Sequence, residues 1–495
     1  MSGLPAVGAA PAPPIRTAAI VNLGCKVNQA EMESAARQLR ERGVGLADGG
    51  AHGSADLVVV NTCTVTAEAD AKSRHAVRRA RRLNPDAEIV VTGCSVQVGA
   101  GSFVDADPAA HLIDNRHRDA LIEELDRLIG ERGAGRNGLP GTALVGGALP
   151  TLSGVEIEGI VDGRASVERT RAFIKVQDGC SFFCTYCIIP AARGPERSLS
   201  PEIVLTDVRR ALRAGHREIV LTGINIGTYD GGWSERGFRG SHVRSALTLA
   251  GLVRRILHET DVERIRISSI EPQHLDDELL DAWVDGAPRT LPHVHLPLQS
   301  GDDGVLRRMG RRYDSADYAR VVARVRSAIP GVAIHGDVIV GFPTEDEAAW
   351  RRSIGFIRSI GFAGIHAFRY SARPGTAAVR MAGSVDEPMK KSRAAELLAL
   401  AAEARASRAR ASVGATADVL FESRLGDGHW LGHAADYVPV AAPAPSATDG
   451  APSLENVIGR VAIESVDHGA PERAIGRIVA MSPPPVVSAT EGSSR

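Results

Sequence analysis

The chain has 495 residues, of which 44% are hydrophobic and 24% charged, and its formal net charge is −1. This length predicts two to four domains, and the composition is that of a globular protein with a sizeable core. The near-zero charge does not indicate a nucleic-acid partner, although a local basic face is compatible with one. No apolar run is long enough to span a bilayer, so we expect no membrane association.

Residues 1–15 are rich in Ala, Pro and Gly and are predicted to form a disordered tail. The stretch has no charged start ahead of an apolar run, so it does not have the pattern of a secretory signal. We therefore expect a cytoplasmic protein. Disulfides are rare in that compartment, and cysteines there are more often buried, catalytic or metal-binding.

Three apolar runs follow, each ending in a cysteine. They read TAAIVNLGC, ADLVVVNTC and AEIVVTGC, and they end at Cys25, Cys63 and Cys94. Each predicts a buried parallel strand, with helices over 29–42 and 68–83 between them, and this βαβ pattern favours a doubly wound sheet. Loops at the carboxyl ends of parallel strands line one edge, so three cysteines far apart in sequence can meet there.

A helix near 119–128 ends the predicted N-terminal domain of residues 16–130, and a Gly- and Pro-rich stretch over 131–165 is predicted to be a linker. Six strand-and-helix units follow within a predicted domain of residues 166–386. They indicate a partial (β/α)6 barrel, whose active site is expected in the loops after the strands. The six predicted strands lie in AFIKVQ, REIVLTGINIG, RIRISSIEP, HVHLPLQSG, VAIHGDVIVGFP and FAGIHAFRYS.

The C-terminal part begins with a predicted connecting helix over 387–412. Short strand-like pieces over 413–483 predict a small β-barrel or sheet, interrupted by a Pro/Ala/Ser stretch at 440–452. Residues 484–495 are predicted to be a second disordered tail. The whole chain is therefore expected to be of the α/β class, with three folded domains.

Half of the six cysteines fall in one loop, DGCSFFCTYCIIP, where Cys180, Cys184 and Cys187 are spaced C-x3-C-x2-C. Structural zinc sites take four protein ligands, commonly as two separated pairs, but no fourth cysteine is near and the loop contains no histidine. A four-iron cluster held by three cysteines has one iron open to an exogenous ligand. Iron–sulfur proteins that only carry electrons usually have four cysteine ligands for each cluster. The triplet therefore favours chemistry at the open iron.

The trio Cys25, Cys63 and Cys94 is open to two interpretations. Single buried cysteines after strands are common, because Cys behaves as a small hydrophobic residue. Their shared position at strand ends favours a second metal site instead.

The wider motifs resemble those of radical S-adenosylmethionine (SAM) methylthiotransferases. The cysteine motif at the start of their barrel domain is similar to GCSFFCTYCIIPAARGPERS in this chain. Their N-terminal cluster domain is similar to LGCKVNQAEME, NTCTVTAEAD and VTGC. HLPLQSGDDGVLRRMGRRY, GDVIVGFPTEDE and FRYSARPGT continue the resemblance, and the C-terminal part weakly resembles the RNA-binding TRAM domain. LGCKVNQ, NTCTVT and CTYCIIP are most similar to the branch that acts on threonylcarbamoyladenosine of tRNA. Four residues depart from the family pattern: Ser181, Phe182, Ala191 and Thr344. None of them is a cluster ligand, so these departures bear on substrate contacts rather than on cluster binding.

The resemblance implies two [4Fe-4S] clusters, one on Cys180, Cys184 and Cys187 and one on the N-terminal trio. SAM would bind the open iron of the first cluster and be cleaved to a deoxyadenosyl radical. A radical is needed because the hydrogen on carbon 2 of adenosine is too weakly acidic for a side-chain base to remove. The second would carry the sulfur that becomes the methylthio group. The implied SAM contacts are Gly223, Ile224, Asn225, Ser268, Glu271, Gln299 and Ser300. Asp337 would face the substrate or act as a buried hydrogen-bonding partner.

The expected partners are a tRNA anticodon loop, a flavodoxin- or ferredoxin-type electron donor and a sulfur donor. Basic stretches at 72–82 and 390–410 are candidates for RNA contact, although a basic helix is more often a solvated face. The nearest alternative is the same reaction on isopentenyladenosine of tRNA; modification of a ribosomal protein is less favoured. Alternatives of another class are a non-enzymatic iron–sulfur RNA-binding protein and a zinc-binding module.

Overall fold

The computed structural model divides the chain into two compact units. One comprises Met1–Glu168 with Ala191–Arg193, and the other comprises Arg169–Pro190 with Gly194–Arg495. The residues described are 13–47, 55–115, 120–133, 170–231, 247–445 and 453–482. Most of the predicted linker, most of the predicted N-terminal tail and all of the predicted C-terminal tail lie outside the described residues.

The first unit is built on a parallel five-stranded sheet with the order β2-β1-β3-β4-β5. Its strands are β1 (Thr17–Asn22), β2 (Gly45–Leu46), β3 (Leu57–Thr62), β4 (Glu88–Gly93) and β5 (His111–Ile113). Its helices are α1 (Lys26–Glu41), α2 (Ala67–Leu83), α3 (Cys94–Gly99), α4 (Gly101–Val104) and α5 (Ala120–Gly133). Along β3, Leu57 and Val59 join one apolar core while Val58 and Val60 join another. Because successive side chains point to opposite faces, both faces of the sheet are covered, which confirms the doubly wound prediction.

Helix α1 begins earlier than its sequence pattern predicts. It starts at Lys26 rather than near residue 29, with Cys25 as its N-cap. The amide of Gln29 donates to the carbonyl of Cys25 at 2.9 Å, which makes the first helical hydrogen bond. Only Leu23 and Gly24 therefore separate the end of β1 from the cysteine, and the helix follows the cysteine directly.

The second unit carries six parallel strands in two three-stranded sheets, β6-β9-β10 and β11-β12-β13. A parallel bridge between Ile265 and Thr290 links the two sheets, which confirms the partial barrel. The strands are β6 (Arg171–Lys175), β9 (Glu218–Thr222), β10 (Arg264–Ile267), β11 (His293–His295), β12 (Ala333–Val340) and β13 (Gly364–Arg369), and a hairpin pairs β7 (Gln177–Asp178) with β8 (Arg197–Ser198). The helices are α6 (Ile189–Arg193), α7 (Pro201–Arg213), α8 (Leu249–Glu259), α9 (Asp277–Asp285), α10 (Asp303–Met309), α11 (Ser315–Ala328) and α12 (Glu347–Ile360), the last three residues of α6 belonging to the first unit.

Helix α13 (Glu387–Ala411) follows the barrel strands, as predicted. The Asp386 side chain caps it by accepting a hydrogen bond from the Met389 amide at 2.8 Å. Its buried Arg393 pairs with the buried carboxylate of Glu345 at 2.9 Å. Within the described ranges, no helix combines the length and the apolar character that crossing a bilayer would need.

The chain ends in a closed five-stranded barrel with the order β14-β15-β16-β18-β17. Its strands are β14 (Thr416–Arg424), β15 (Trp430–Ala434), β16 (Pro439–Ala442), β17 (Ile458–Val466) and β18 (Ala474–Met481). This confirms the small β-barrel but corrects the interruption predicted from residue 440, because Val440–Ala442 belong to β16. Pro439 is the first residue of that strand, a position where proline is tolerated.

Candidate active site

Each cysteine of the N-terminal trio lies at the carboxyl end of a neighbouring parallel strand. Cys25 caps α1 after β1, Cys63 directly follows β3, and Cys94 begins α3 after β4. All three are free thiols, and Cys63 and Cys94 are each only 3% exposed. The fold thus brings together cysteines that are 38 and 31 residues apart in sequence (63 − 25 and 94 − 63).

Buried amides hold the loops of this trio in place. The Asn28 amide donates to Asn61 Oδ1 at 2.9 Å, and its Oδ1 accepts from the Cys25 thiol at 3.4 Å. A Cβ added to Gly24 would lie 2.2 Å from the Asn28 side chain. Gly93 has φ +102, and a Cβ there would lie 2.4 Å from Asn61 Oδ1. Both glycines are therefore required by close packing around the thiols.

The thiols of the trio interact electrostatically. Burial raises the pKa of Cys63, and the neighbouring Cys94 and Cys25 raise it further. Burial also raises the pKa of Cys94, although Arg193 opposes this shift. Without metal, the raised pKa values keep Cys63 and Cys94 protonated, and metal ligation would displace those protons.

The C-x3-C-x2-C triplet lies in the loop between β7 and α6. The Cys187 amide donates to the Cys184 carbonyl at 2.9 Å, and the Thr185 amide donates to the Met309 carbonyl at 2.9 Å. Gly179 has φ +72, and a Cβ there would lie 2.0 Å from the Pro195 carbonyl oxygen. Burial raises the pKa of Cys187 to about 12, with Cys184 and Cys180 contributing. The loop therefore gathers three free thiols.

An arginine absent from the sequence-based site lies beside this triplet. Arg311 Nη1 donates to Cys184 Sγ at 3.4 Å, and the same guanidinium hydrogen-bonds Glu271. The signal was present in the sequence, because Arg311 belongs to the motif VLRRMGRRY, but spacing alone does not indicate which of several arginines faces the cysteines.

The residues predicted to contact SAM lie after the barrel strands. Gly223, Ile224 and Asn225 follow β9, Ser268 and Glu271 follow β10, and Gln299 and Ser300 follow β11. Gln177 Oε1 accepts from the Asn225 amide at 2.9 Å, and Gln177 Nε2 donates to the Gly179 carbonyl at 2.9 Å. Gln177, which sequence reasoning missed, thus joins the loop after β9 to the cysteine loop.

Comparison with known proteins finds a match in each of the two units. Residues 17–114 match the model described as uncharacterized protein family UPF0004, and residues 174–357 match the radical SAM superfamily. A curated protein of Bacillus subtilis (strain 168) named threonylcarbamoyladenosine tRNA methylthiotransferase MtaB is 38% identical over 384 residues, which is 78% of this chain and 80% of that protein.

The chain belongs to the radical SAM methylthiotransferase family. Another relative of this methylthiotransferase, from Maricaulis maris (strain MCS10), is named tRNA-2-methylthio-N(6)-dimethylallyladenosine synthase. It is 32% identical and covers 84% of this chain and 88% of its own length. The solved structure of the radical SAM methyltransferase TsrM from Kitasatospora setae, with cobalamin and a [4Fe-4S] cluster bound, matches with TM-score 0.51 at 16% identity, covering 74% of this chain and 77% of that one, and shows a shared fold.

The family implies SAM and an iron–sulfur cluster, and the residues of this methylthiotransferase fit both. Three free thiols in one loop are the donors an iron–sulfur cluster requires. Asn225, 3% exposed, has neither side-chain polar atom hydrogen-bonded, and the same is true of the Ser268 hydroxyl. Buried polar groups are normally paired, so these atoms at the strand ends are suited to a polar ligand.

Other predicted contacts serve the fold directly. The Ser300 hydroxyl accepts from the Asp302 amide at 3.2 Å. Gln299 has φ 70, and its amide donates to the Asp337 carbonyl at 2.7 Å, which continues the strand pairing. Glu271 pairs with Arg311. Their roles toward SAM remain predictions.

Asp337 lies on β12 between two histidines of the neighbouring strands. Its Oδ1 is 2.8 Å from His295 Nε2 and 3.2 Å from His366 Nδ1. Burial by itself would raise the pKa of Asp337, but the two histidines outweigh burial and hold that pKa well below its usual range. The Asp337 side chain is a hydrogen-bonding partner of the histidines and is also 18% exposed. A hydrogen-bonding role and a position facing the substrate, the two interpretations from sequence, are therefore compatible.

Replacing Asn225 with alanine is expected to weaken SAM binding about 10-fold, because one or two hydrogen bonds worth about 1 kcal/mol each would be lost. The measurement is equilibrium dialysis of SAM with the reconstituted protein. Since the Asn225 side chain has no hydrogen bond of its own, the melting temperature of the SAM-free variant should not fall. A fall in that temperature, with unchanged SAM affinity, would assign the residue to the fold.

Proposed function

We propose that the protein is a tRNA methylthiotransferase that adds a methylthio group to carbon 2 of N6-threonylcarbamoyladenosine at position 37 of tRNA. The observation that carries the proposal is the presence of two three-cysteine sites at strand ends, one in each α/β unit. The chain is also 38% identical to a relative named threonylcarbamoyladenosine tRNA methylthiotransferase. The 32% identical relative named for dimethylallyladenosine makes that nucleoside the nearest alternative substrate.

Two clusters would be held by this chain. Cys180, Cys184 and Cys187 would hold the one that binds SAM, and the trio of Cys25, Cys63 and Cys94 would hold the one that supplies sulfur. When bound, the first cluster with SAM supplies a carbon radical able to remove the carbon 2 hydrogen, and the second supplies the methylthio group.

The chain's own residues would orient these groups. Asn225 and Ser268 would present their unpaired polar atoms to SAM. Gln177 would hold the loop that carries Asn225 against the cysteine loop, through its hydrogen bonds to the Asn225 amide and the Gly179 carbonyl. Three cysteines per cluster leave one iron of each without a protein ligand, which is the position where an exogenous group binds.

RNA binding would rest on charge rather than on stacking, because aromatic residues make up only 4% of the chain. Arg74, Arg78 and Arg82 recur every four residues along α2, and Arg78 and Arg82 are exposed. Along α13, by contrast, Lys390, Arg393 and Arg408 are engaged in ion pairs with Glu387, Glu345 and Asp436. A base in an anticodon loop is already unpaired, which lowers the cost of presenting it to the site.

Nucleoside analysis tests the proposal. Deletion of the gene from its host should remove methylthio-threonylcarbamoyladenosine from digested total tRNA, measured by mass spectrometry. The intact gene should restore it, and the Cys184→Ala gene should not.

Two other results would refute the substrate. Loss of methylthio-isopentenyladenosine alone would support the methylthiotransferase reaction and show that isopentenyladenosine, not threonylcarbamoyladenosine, is the substrate. No change in either nucleoside, in a host without a redundant enzyme, would exclude tRNA. The proposed reaction also needs an electron donor of flavodoxin or ferredoxin type and a sulfur donor, and both can be supplied in a reconstituted assay.

A further inference from the structure

Arg193 is a buried arginine whose guanidinium lies among the N-terminal cysteines. It is 3% exposed, and residues 191–193 belong to the same compact unit as the trio. Its Nε donates to Cys94 Sγ at 3.3 Å. Its Nη2 donates to Asn28 Oδ1 at 2.7 Å, and that oxygen also accepts from Cys25. One side chain therefore contacts one cysteine directly and a second through Asn28.

Glu31 fixes the orientation of this guanidinium. Arg193 Nη1 lies 3.0 Å from Glu31 Oε1, and Nη2 lies 3.1 Å from Glu31 Oε2. The bidentate pair aligns the planar fork so that Nε is directed at the sulfur. Removing a guanidinium from water is costly, and an ion pair needed only for stability could be replaced by apolar packing. Its placement at a thiol therefore indicates a role toward what the thiols bind.

We propose that Arg193 is the positioning residue of the N-terminal iron–sulfur site, where it holds Cys94 in ligating geometry and sets the reduction potential of the cluster. This inference rests on the second cluster of the proposed function. Hydrogen bonds to cluster sulfurs and nearby charge are the means by which proteins set cluster potentials. A positive group at the sulfur stabilises the more negative, reduced state, and Glu31 partly offsets it.

The position of Arg193 in the chain adds a second feature. It lies six residues after Cys187, in CIIPAARG, and is the last residue of helix α6. Arg311 occupies a similar position at the triplet, where it contacts Cys184 and is paired with Glu271. Each three-cysteine site thus has one arginine–glutamate pair beside a sulfur.

The test uses the full chain with Cys180, Cys184 and Cys187 changed to alanine, so that only the N-terminal cluster can form. After anaerobic reconstitution, iron content, retention of iron against a chelator and the midpoint potential by electron paramagnetic resonance are measured. Arg193→Gln and Glu31→Gln are compared, with Arg193→Lys as the conservative variant. Arg81→Gln is the matched control, because Arg81 is a half-buried arginine of the same unit, paired with Asp107 at 3.0 Å.

Arg193→Gln should make the midpoint potential more negative and weaken cluster retention about 10- to 100-fold, the usual effect of losing a group that orients a metal ligand. Glu31→Gln should move the potential in the opposite direction, because it removes the offsetting negative charge. Arg193→Lys should keep the potential near that of the parent with weaker retention, since lysine keeps the charge but lacks the fork. Arg81→Gln should change neither.

Opposite shifts cannot arise from loosened packing, which would affect both variants alike. Equal potentials in the parent, Arg193→Gln and Glu31→Gln, or shifts of the same sign, would overturn the inference while leaving the second cluster in place. A parent that binds no cluster would overturn the second cluster of the proposed function and this inference with it.

Discussion

Replacing Cys184 with alanine is expected to abolish formation of both 5′-deoxyadenosine and the methylthio nucleoside. Cys184 is the central cysteine of the triplet, and removing it leaves two thiols in the loop, too few for a cluster with one open iron. Enzymatic accelerations are on the order of 10⁶-fold or more, so product should fall to the background of a mixture without protein. Chromatography of 5′-deoxyadenosine and mass spectrometry of the nucleoside measure the two products separately.

Cys94→Ala is the companion variant, because it removes a cysteine of the other site. We expect it to retain 5′-deoxyadenosine formation and to lose methylthio transfer, since Cys94 belongs to the N-terminal trio. 5′-Deoxyadenosine from Cys184→Ala at the unaltered rate would refute the assignment of SAM cleavage to the triplet. Methylthio transfer by Cys94→Ala would refute the role of the trio.

Replacing Glu218 with glutamine is expected to destabilise the second unit by about 3–5 kcal/mol, the usual cost of breaking a buried ion pair. Glu218 is 1% exposed at the start of β9, with Arg264 Nε at 2.7 Å and Arg266 Nε at 2.6 Å. Arg266 also donates to the carbonyls of Ala434 and Ala435 at 3.0 and 2.9 Å, at the end of β15. The carboxylate therefore balances the arginines by which the barrel strands bind the C-terminal β-barrel.

The same group gives a pH dependence of stability. Burial by itself would raise the pKa of Glu218, but Arg266, Arg264 and Arg171 outweigh it and bring the pKa to about 2. A pKa lower in the folded than in the unfolded chain contributes stability at neutral pH, on the order of 3 kcal/mol for a shift of this size. That contribution is complete above the unfolded pKa, near 4.5, and is lost as the pH falls toward 2.

Urea denaturation followed by tryptophan fluorescence measures this effect, because Trp283, Trp350 and Trp430, the tryptophans among the described residues, belong to the second unit. Glu464→Gln is the matched control, since Glu464 and Arg477 form an exposed pair at 3.3 Å worth about 1 kcal/mol or less. An equal loss of stability in both variants would contradict a special role for Glu218. So would the same stability change between pH 5 and pH 3 in wild type and Glu218→Gln.

Much of the fold could be predicted because its signals are local. Buried runs such as LVVV in β3 and IVL in β9 are apolar, as strands covered on both faces must be. Boundaries were less predictable. Helix α1 begins at Lys26, directly after its N-cap Cys25, and β16 begins at a proline, two boundaries that the local sequence pattern did not indicate.

By itself the sequence determined the ligand chemistry, because thiols are the donors an iron–sulfur cluster requires and C-x3-C-x2-C places three of them in one loop. Strand-end positions also predicted that Cys25, Cys63 and Cys94 would meet. Only the tertiary structure decided that Arg193 lies at Cys94, that Arg311 lies at Cys184, and that the buried Asn225 side chain is unpaired. Those contacts join residues that are distant in sequence, and their geometry depends on packing across several elements, which no local pattern specifies.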